Sequence, residues 1–281
     1  QRPFQKVLDD YIAGAINERQ FLKQSEYFKR WGFDFNLYKP ILDFARTQKI
    51  PVIALNQRTE IIDKVSKNGL DSLADEEKKE VPQKMDFSDD KYRDRLKDVF
   101  KRHEGSRDKN FDFFYQAQIL WDETMAQSVD EFLKKDPEYR MVVIAGGGHL
   151  AFGSGIPKRA FRRNGLPYAI LLNDGDVERD IANYLVLPQV IEGAAAPMLM
   201  VALKVESSRV IVTDMPEDSV SKQAGVKVND TILSLDGTKV ENVEDLKLEL
   251  FFKKKGDIVK VKVLRKRFFL GEKEMEVDVK L

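Results

Sequence analysis

Apolar positions recur every three or four residues through the first two thirds of the chain and every second residue through the last third. Phe4, Val7, Leu8, Tyr11 and Ile12 fall on one helical face, and residues 1–47 read as helical. Residues 50–55 form a short apolar run ending at Asn56, the length of a buried strand. Residues 57–108 are charged, helix-rich and mostly solvated. The clearest helix covers residues 111–135, with Phe114, Gln118, Trp121, Met125, Val129 and Phe132 along its inner stripe. Residues 141–145 are a continuous apolar run followed by three glycines, Pro157 suits the first turn of a helix, and residues 168–172 read as another buried strand. Helices alternating with short apolar strands predict an α/β fold, a layered domain with a mostly parallel sheet.

After about residue 190 the period becomes two. Val259, Val261 and Val263 alternate with Lys260 and Lys262, and Met275, Val277, Val279 and Leu281 alternate with charges, as in half-buried antiparallel strands. Asp236-Gly237 is a tight-turn signal between Ile232-Leu233 and Val240. The small-residue stretch around Gly193 suits a linker, so the division expected is 1–191, a linker at 192–196, and a small β-rich barrel at 197–281. The second domain is expected to fold alone and to move with some freedom.

A chain of 281 residues, 42% hydrophobic and 33% charged, has material for two real cores under a solvated surface. Forty-seven Lys plus Arg balance 47 Asp plus Glu, which argues against a broad nucleic-acid footprint. Residues 197–281 are balanced too, and the runs Lys253-Lys254-Lys255 and Arg265-Lys266-Arg267 read as solvated turns. With no cysteine there is no disulfide, thiolate nucleophile or cysteine-based zinc site, and two histidines cannot make a three-histidine zinc site. No run of 18 apolar residues and no signal segment is visible.

Candidate chemistry concentrates at residues 141–159, where one of the two histidines, His149, follows Gly146, Gly147 and Gly148. In an open α/β sheet ligands sit beyond the carboxyl ends of strands, so His149 is expected in a pocket near Asn56 and Asp122. Gly148 is expected to need a conformation that β-branched residues resist. A glycine-rich turn whose histidine merely caps or packs explains the same run equally well. Gln118 and Asp122 lie four apart on or beside the stripe of the 111–135 helix, and a carboxylate there needs a hydrogen-bond partner or a cavity.

Residues 223–237, then Val240, Asp245-Leu246, Gly256-Asp257 and a valine-rich strand ending in Arg265, resemble a bacterial, circularly permuted PDZ domain. That resemblance implies capture of extended peptides or protein C-termini by strand addition, with the carboxylate-binding loop on Met198, Leu199, Met200 and Val201. Met198 and Met200 stand where such loops have glycine, which implies a narrowed pocket and weak affinity. The first domain resembles the ChaN-like haem-binding family, part of a wider group with Tiki metalloproteases and erythromycin esterases. The carrying blocks are residues 1–5, 51–56, 118–126 and 146–149 through 155–159.

The family resemblance implies haem as cofactor, bacterial iron acquisition, and an envelope lipoprotein or periplasmic protein; a second copy of the chain is a candidate partner. His149 and His103 are the implied histidine ligands, the tyrosines being unranked, with Met125 and Phe152 as packing and Arg159 as a propionate partner. Gly146, Gly147, Gly148, Asn56, Gln118 and Asp122 complete the implied pocket. The alternative is a Tiki-like metal-dependent hydrolase in which His149 holds a divalent metal with Asp122 or Glu123. Family members begin with a further strand and a Gly-Glu-x-His-like element upstream of position 1, so the resemblance also implies that the start of the domain is missing.

Overall fold

The computed structural model describes residues 1–102, 110–173, 177–189, 193, 196–267 and 271–281. In chain order the helices are α1 (Gln5–Ile12), α2 (Glu18–Gln24), α3 (Tyr27–Arg30), α4 (Lys39–Gln48), α5 (Thr59–Asn68), α6 (Asp75–Lys79), α7 (Asp90–Arg102), α8 (Phe111–Lys135), α9 (Ile156–Asn164), α10 (Val220–Gln223) and α11 (Val243–Phe251). The strands are β1 (Leu171–Leu172), β2 (Tyr184–Leu185), β3 (Ala202–Glu206), β4 (Arg209–Asp214), β5 (Thr231–Leu235), β6 (Thr238–Lys239), β7 (Ile258–Arg267) and β8 (Gly271–Lys280). Residues 1–15 with 40–190 make one unit, and residues 16–39 with 191–281 make the other.

The first unit is built on α8, which spans the 111–135 helix read from the sequence. Asn110 caps it, its Oδ1 accepting from the Asp112 and Phe113 N–H groups. The helix is wrapped on several sides. Ile61, Ile62 and Val65 of α5 pack on Ala117 and Leu120, Tyr92 and Leu96 of α7 on Tyr115 and Ile119, and Ile156 of α9 on Met125 and Ala126.

The apolar runs at 50–55 and 141–145 carry no regular secondary structure and join no ladder, and the strand pairing among the described residues of this unit is a two-residue parallel pair of β1 with β2. Residues 141–145 alternate rather than bury throughout. Val143 and Ala145 pack inward, while Val142 is 88% and Ile144 59% exposed. At 51–55 a side chain takes the place of a neighbouring strand. Gln5 Oε1 accepts from the Ala54 N–H at 2.7 Å and its Nε2 donates to the Val52 carbonyl at 2.9 Å, which satisfies two backbone groups that a sheet would otherwise pair.

In the second unit the antiparallel order is β3-β4-β5-β7-β8, with β6 paired to β5. The two-residue period is obeyed: Val259, Val261, Val263 and Val279 are buried with Val210, Val212, Ile232, Leu235 and Leu246. Outward lysines pair across the hairpin, Lys262 with Glu274 at 2.6 Å and Lys260 with Glu276 at 3.4 Å. Asp236 and Gly237 both have positive φ, 48° and 80°, as a tight hairpin turn that matches strand twist requires. β3 is an edge strand.

Residues 16–39, assigned to the first domain by helical period alone, pack in this second unit. Phe35 is buried and its ring meets Phe251 edge-on at 5.9 Å, Phe28 lies 5.8 Å from the same ring, and Arg19 pairs with the buried Glu249 while stacking over Phe252. Of the expected linker, residues 192, 194 and 195 lie outside the described residues.

Candidate functional site

Residues 146–155 join the 141–145 segment to α9 as two tight 3-10 turns, Gly147–His149 and Ala151–Gly153. This loop delivers the His149 ring to α8. Its Nδ1 lies 2.6 Å from Asp122 Oδ1, and Asp122 Oδ2 accepts the Tyr92 hydroxyl at 2.7 Å. Asp122 is wholly buried. A carboxylate in that position needs donors on both oxygens, so Nδ1 carries the proton and Asp122 holds the ring in that tautomer. The Gln118 amide lies 3.0 Å from the same ring nitrogen, and its Nε2 reaches the Tyr92 hydroxyl at 3.3 Å.

The other ring nitrogen, Nε2, has no partner among the described residues, and the His149 side chain keeps 17% of its surface open. Trp121 meets the imidazole edge-on, 5.1 Å between centroids, and its indole N–H donates to Asn56 Oδ1. Asn56 is tied in turn through its carbonyl to the Arg2 N–H at 2.8 Å. Gln118, Trp121 and Asp122 thus share a helix face around His149, with Asn56 joined through the tryptophan. The alternative in which His149 is a packed core residue leaves this free nitrogen unexplained.

Burial, then the adjacent Asp122 carboxylate, pushes the Tyr92 phenol far above its ordinary value. Tyr92 is therefore a fixed donor to Asp122. Nothing in the sequence reading singled it out, although with Leu96 it marks the apolar face of an otherwise charged helix. Gly155 was passed over as well: a Cβ there would press on the His149 carbonyl, 2.7 Å from its carbon and 3.0 Å from its Cα. Only a bare glycine lets the start of α9 lie against the histidine backbone.

Several expected site residues are placed elsewhere. Gly148 has no positive φ and open space around it, as does Gly147, so the left-handed conformation expected at Gly148 is absent; positive φ falls on Phe152 (57°) and Gly153 (68°) instead. Arg159 is 2% exposed and cannot reach a ligand's propionate. Its guanidinium donates to the Ser154 and Gly155 carbonyls and to Asp86 O at 3.1 Å, which anchors the loop to α9.

Glu123 points away from the histidine, into the arginines of α9: Arg162 and Arg163 each approach it at 2.6 Å. Beside them, hydrogen bonds from Ser88 and then Arg162 hold Asp86 down to about 2. Met125 is core, packed with Ala126 and Ile156. His103 lies outside the described residues. Among the described residues no three His, Asp or Glu side chains converge as metal ligands.

In the second unit Leu199 is buried and Met200 takes a left-handed φ of 54°, the conformation glycine adopts without cost. Ser221 Oγ donates to Leu199 O at 2.6 Å and Ser219 Oγ to Met200 O at 2.7 Å. The N–H groups of Leu199, Met200 and Val201 have no partner among the described residues. Met198 is exposed.

Residues 1–160 match the family model described as haem-binding uptake, Tiki superfamily, ChaN, and residues 197–281 match the PDZ domain. Among solved structures, an HtrA-type protease, an AlgW variant with a decapeptide, matches at 16% identity with a TM-score of 0.27, covering 30% of this chain. The match spans 27% of that protease chain. No curated protein matches.

Proposed function

We propose, for a chain that belongs to the haem-binding uptake (ChaN) family of the Tiki superfamily, that His149 Nε2 would hold the iron of a bound haem. The observation that carries this reading is the asymmetry of the ring: Nδ1 is fixed by a buried carboxylate that a phenol braces, while Nε2 has no partner among the described residues. That is how ligating histidines are oriented. Haem, if bound, would supply an iron centre and a large apolar ring with two acidic side chains. Trp121 fixes the imidazole edge, and Asn56 fixes Trp121.

The metal-hydrolase alternative fits less well. Asp122 is spent on Nδ1 and Tyr92, and Glu123 is enclosed by arginines. For the PDZ domain we infer capture of a peptide carboxylate by the free N–H groups of Leu199, Met200 and Val201, with the peptide adding beside the edge strand β3. A role in iron acquisition at the cell envelope rests on family membership alone; growth on haem as sole iron source, with and without the gene, tests it.

Titrating the protein with haem while recording the Soret band, beside a metal analysis of the same sample, tests the first claim. The expected result is a saturable Soret shift without stoichiometric metal. Metal bound at one equivalent with no Soret change would select the hydrolase.

A further inference from the structure

Arginines crowd the His149 loop, and nearly all are committed. Arg93 pairs with Asp112 at 2.8 Å, Arg162 and Arg163 with Glu123, and Arg159 is spent on backbone carbonyls and on Glu123 at 3.3 Å. Arg95 differs. It has no carboxylate partner among the described residues, its hydrogen bond going to the neutral Ser154 hydroxyl at 2.5 Å. Asp89 feels its charge, yet that carboxylate is bonded to Lys158 at 3.0 Å. The guanidinium lies 4.4 Å over the Phe152 ring and 5.8 Å from the Tyr92 ring, half-buried and held in place.

Its position ties it to the candidate ligand site from two sides. Tyr92, three residues earlier on the same helix face, is the phenol that braces Asp122 against His149. Ser154 and Phe152 belong to the loop that carries His149, and Phe152 sits in a left-handed conformation, φ 57°, that a phenylalanine adopts only when its surroundings impose it. A half-buried guanidinium with donors to spare, ordered by two rings and bonded to no carboxylate among the described residues, is built to receive one.

We propose that Arg95, and not Arg159, receives an acidic group of the bound ligand. Resting on the haem reading above, that group is a propionate; the chemistry requires only a carboxylate on a flat, apolar molecule. Iron ligation and acid recognition are then separate tasks, His149 performing the first and Arg95 the second.

The test uses the full chain with metal-free protoporphyrin IX and its dimethyl ester, followed by fluorescence, alongside haem followed by absorbance. Wild type is expected to bind the diacid roughly ten-fold more tightly than the ester, the size of one charge-assisted hydrogen bond. Arg95→Gln should remove that preference while leaving the Soret position of the haem complex unchanged, and Arg95→Lys should keep part of it. If Arg95→Gln weakens diacid and ester equally, the residue is structural and the proposal falls. It falls as well if wild type shows no preference or binds neither porphyrin. If haem gives no Soret shift while the Arg95-dependent preference persists, the iron-ligand reading fails and this one stands.

Discussion

Replacing Gly155 by Ala tests the geometry of the site without touching any group that bears chemistry. The added methyl would stand against the His149 carbonyl, 2.7 Å from its carbon, where ordinary contact begins at 3.4 Å, so the histidine backbone must retreat by at least about 0.7 Å. The obstructing atoms are main chain and cannot swing aside. A retreat of that size stretches the 2.6 Å bond from Nδ1 to Asp122 past good hydrogen-bond length and leaves a wholly buried carboxylate short of one donor. Overpacking costs roughly 1–3 kcal/mol and the orphaned acceptor about 1–3 kcal/mol, so a loss of about 2–4 kcal/mol is expected once partial relaxation is allowed. For a unit of this size that is a drop in Tm of roughly 4–16 °C. Gly148→Ala is the control: nothing lies within 4 Å of its Cβ position and its φ is not positive, so a change within about 0.5 kcal/mol is expected. Denaturant unfolding of both variants, with haem titration of each, reads stability and site together. Equal behaviour of the two glycines, or a harmless Gly155→Ala, would refute the packing of α9 on the histidine.

Two further outcomes follow from the same contacts. Because the Tyr92 phenol is held above its ordinary value in the folded chain, the unfolded chain loses that proton first as pH rises past about 10, so stability should fall there by about 1.4 kcal/mol per pH unit; Tyr92→Phe should flatten that limb in urea titrations at pH 9 to 11. The PDZ segment 197–281 alone should be less stable than the same segment fused by a Gly-Ser linker to residues 16–39, by roughly 2–3 kcal/mol, because the fusion covers Phe251 and returns Arg19 to the buried Glu249; identical urea midpoints would show that 16–39 adds nothing.

What could be read from sequence divides along the range of the interactions involved. α8 was legible to the residue because its cap and its apolar period are local, and the β7–β8 hairpin because valine and lysine alternate visibly. Asp122 was legible too, since a carboxylate beside an apolar stripe demands a partner. Tyr92 was not, because what distinguishes it is a bond across 30 residues of sequence to Asp122. The runs at 50–55 and 141–145 carry strand composition, but a strand exists only where another backbone pairs with it, and at 51–55 the Gln5 side chain does so. Arg159 looks like a ligand contact in the sequence because it is an arginine beside a glycine loop, whereas the partners the fold brings to it are carbonyls and Glu123. Residues 16–39 show only helical period, and period says nothing of which core a helix joins.

The proposed iron-ligand role of His149 is tested most directly by replacing it with glycine and recording the Soret region of the haem complex before and after adding imidazole. His149→Gly is expected to lower haem affinity by at least about ten-fold and to alter the spectrum. Millimolar imidazole, occupying the space beside Asp122, should restore the wild-type band. An unaltered wild-type spectrum in His149→Gly without imidazole would contradict that role.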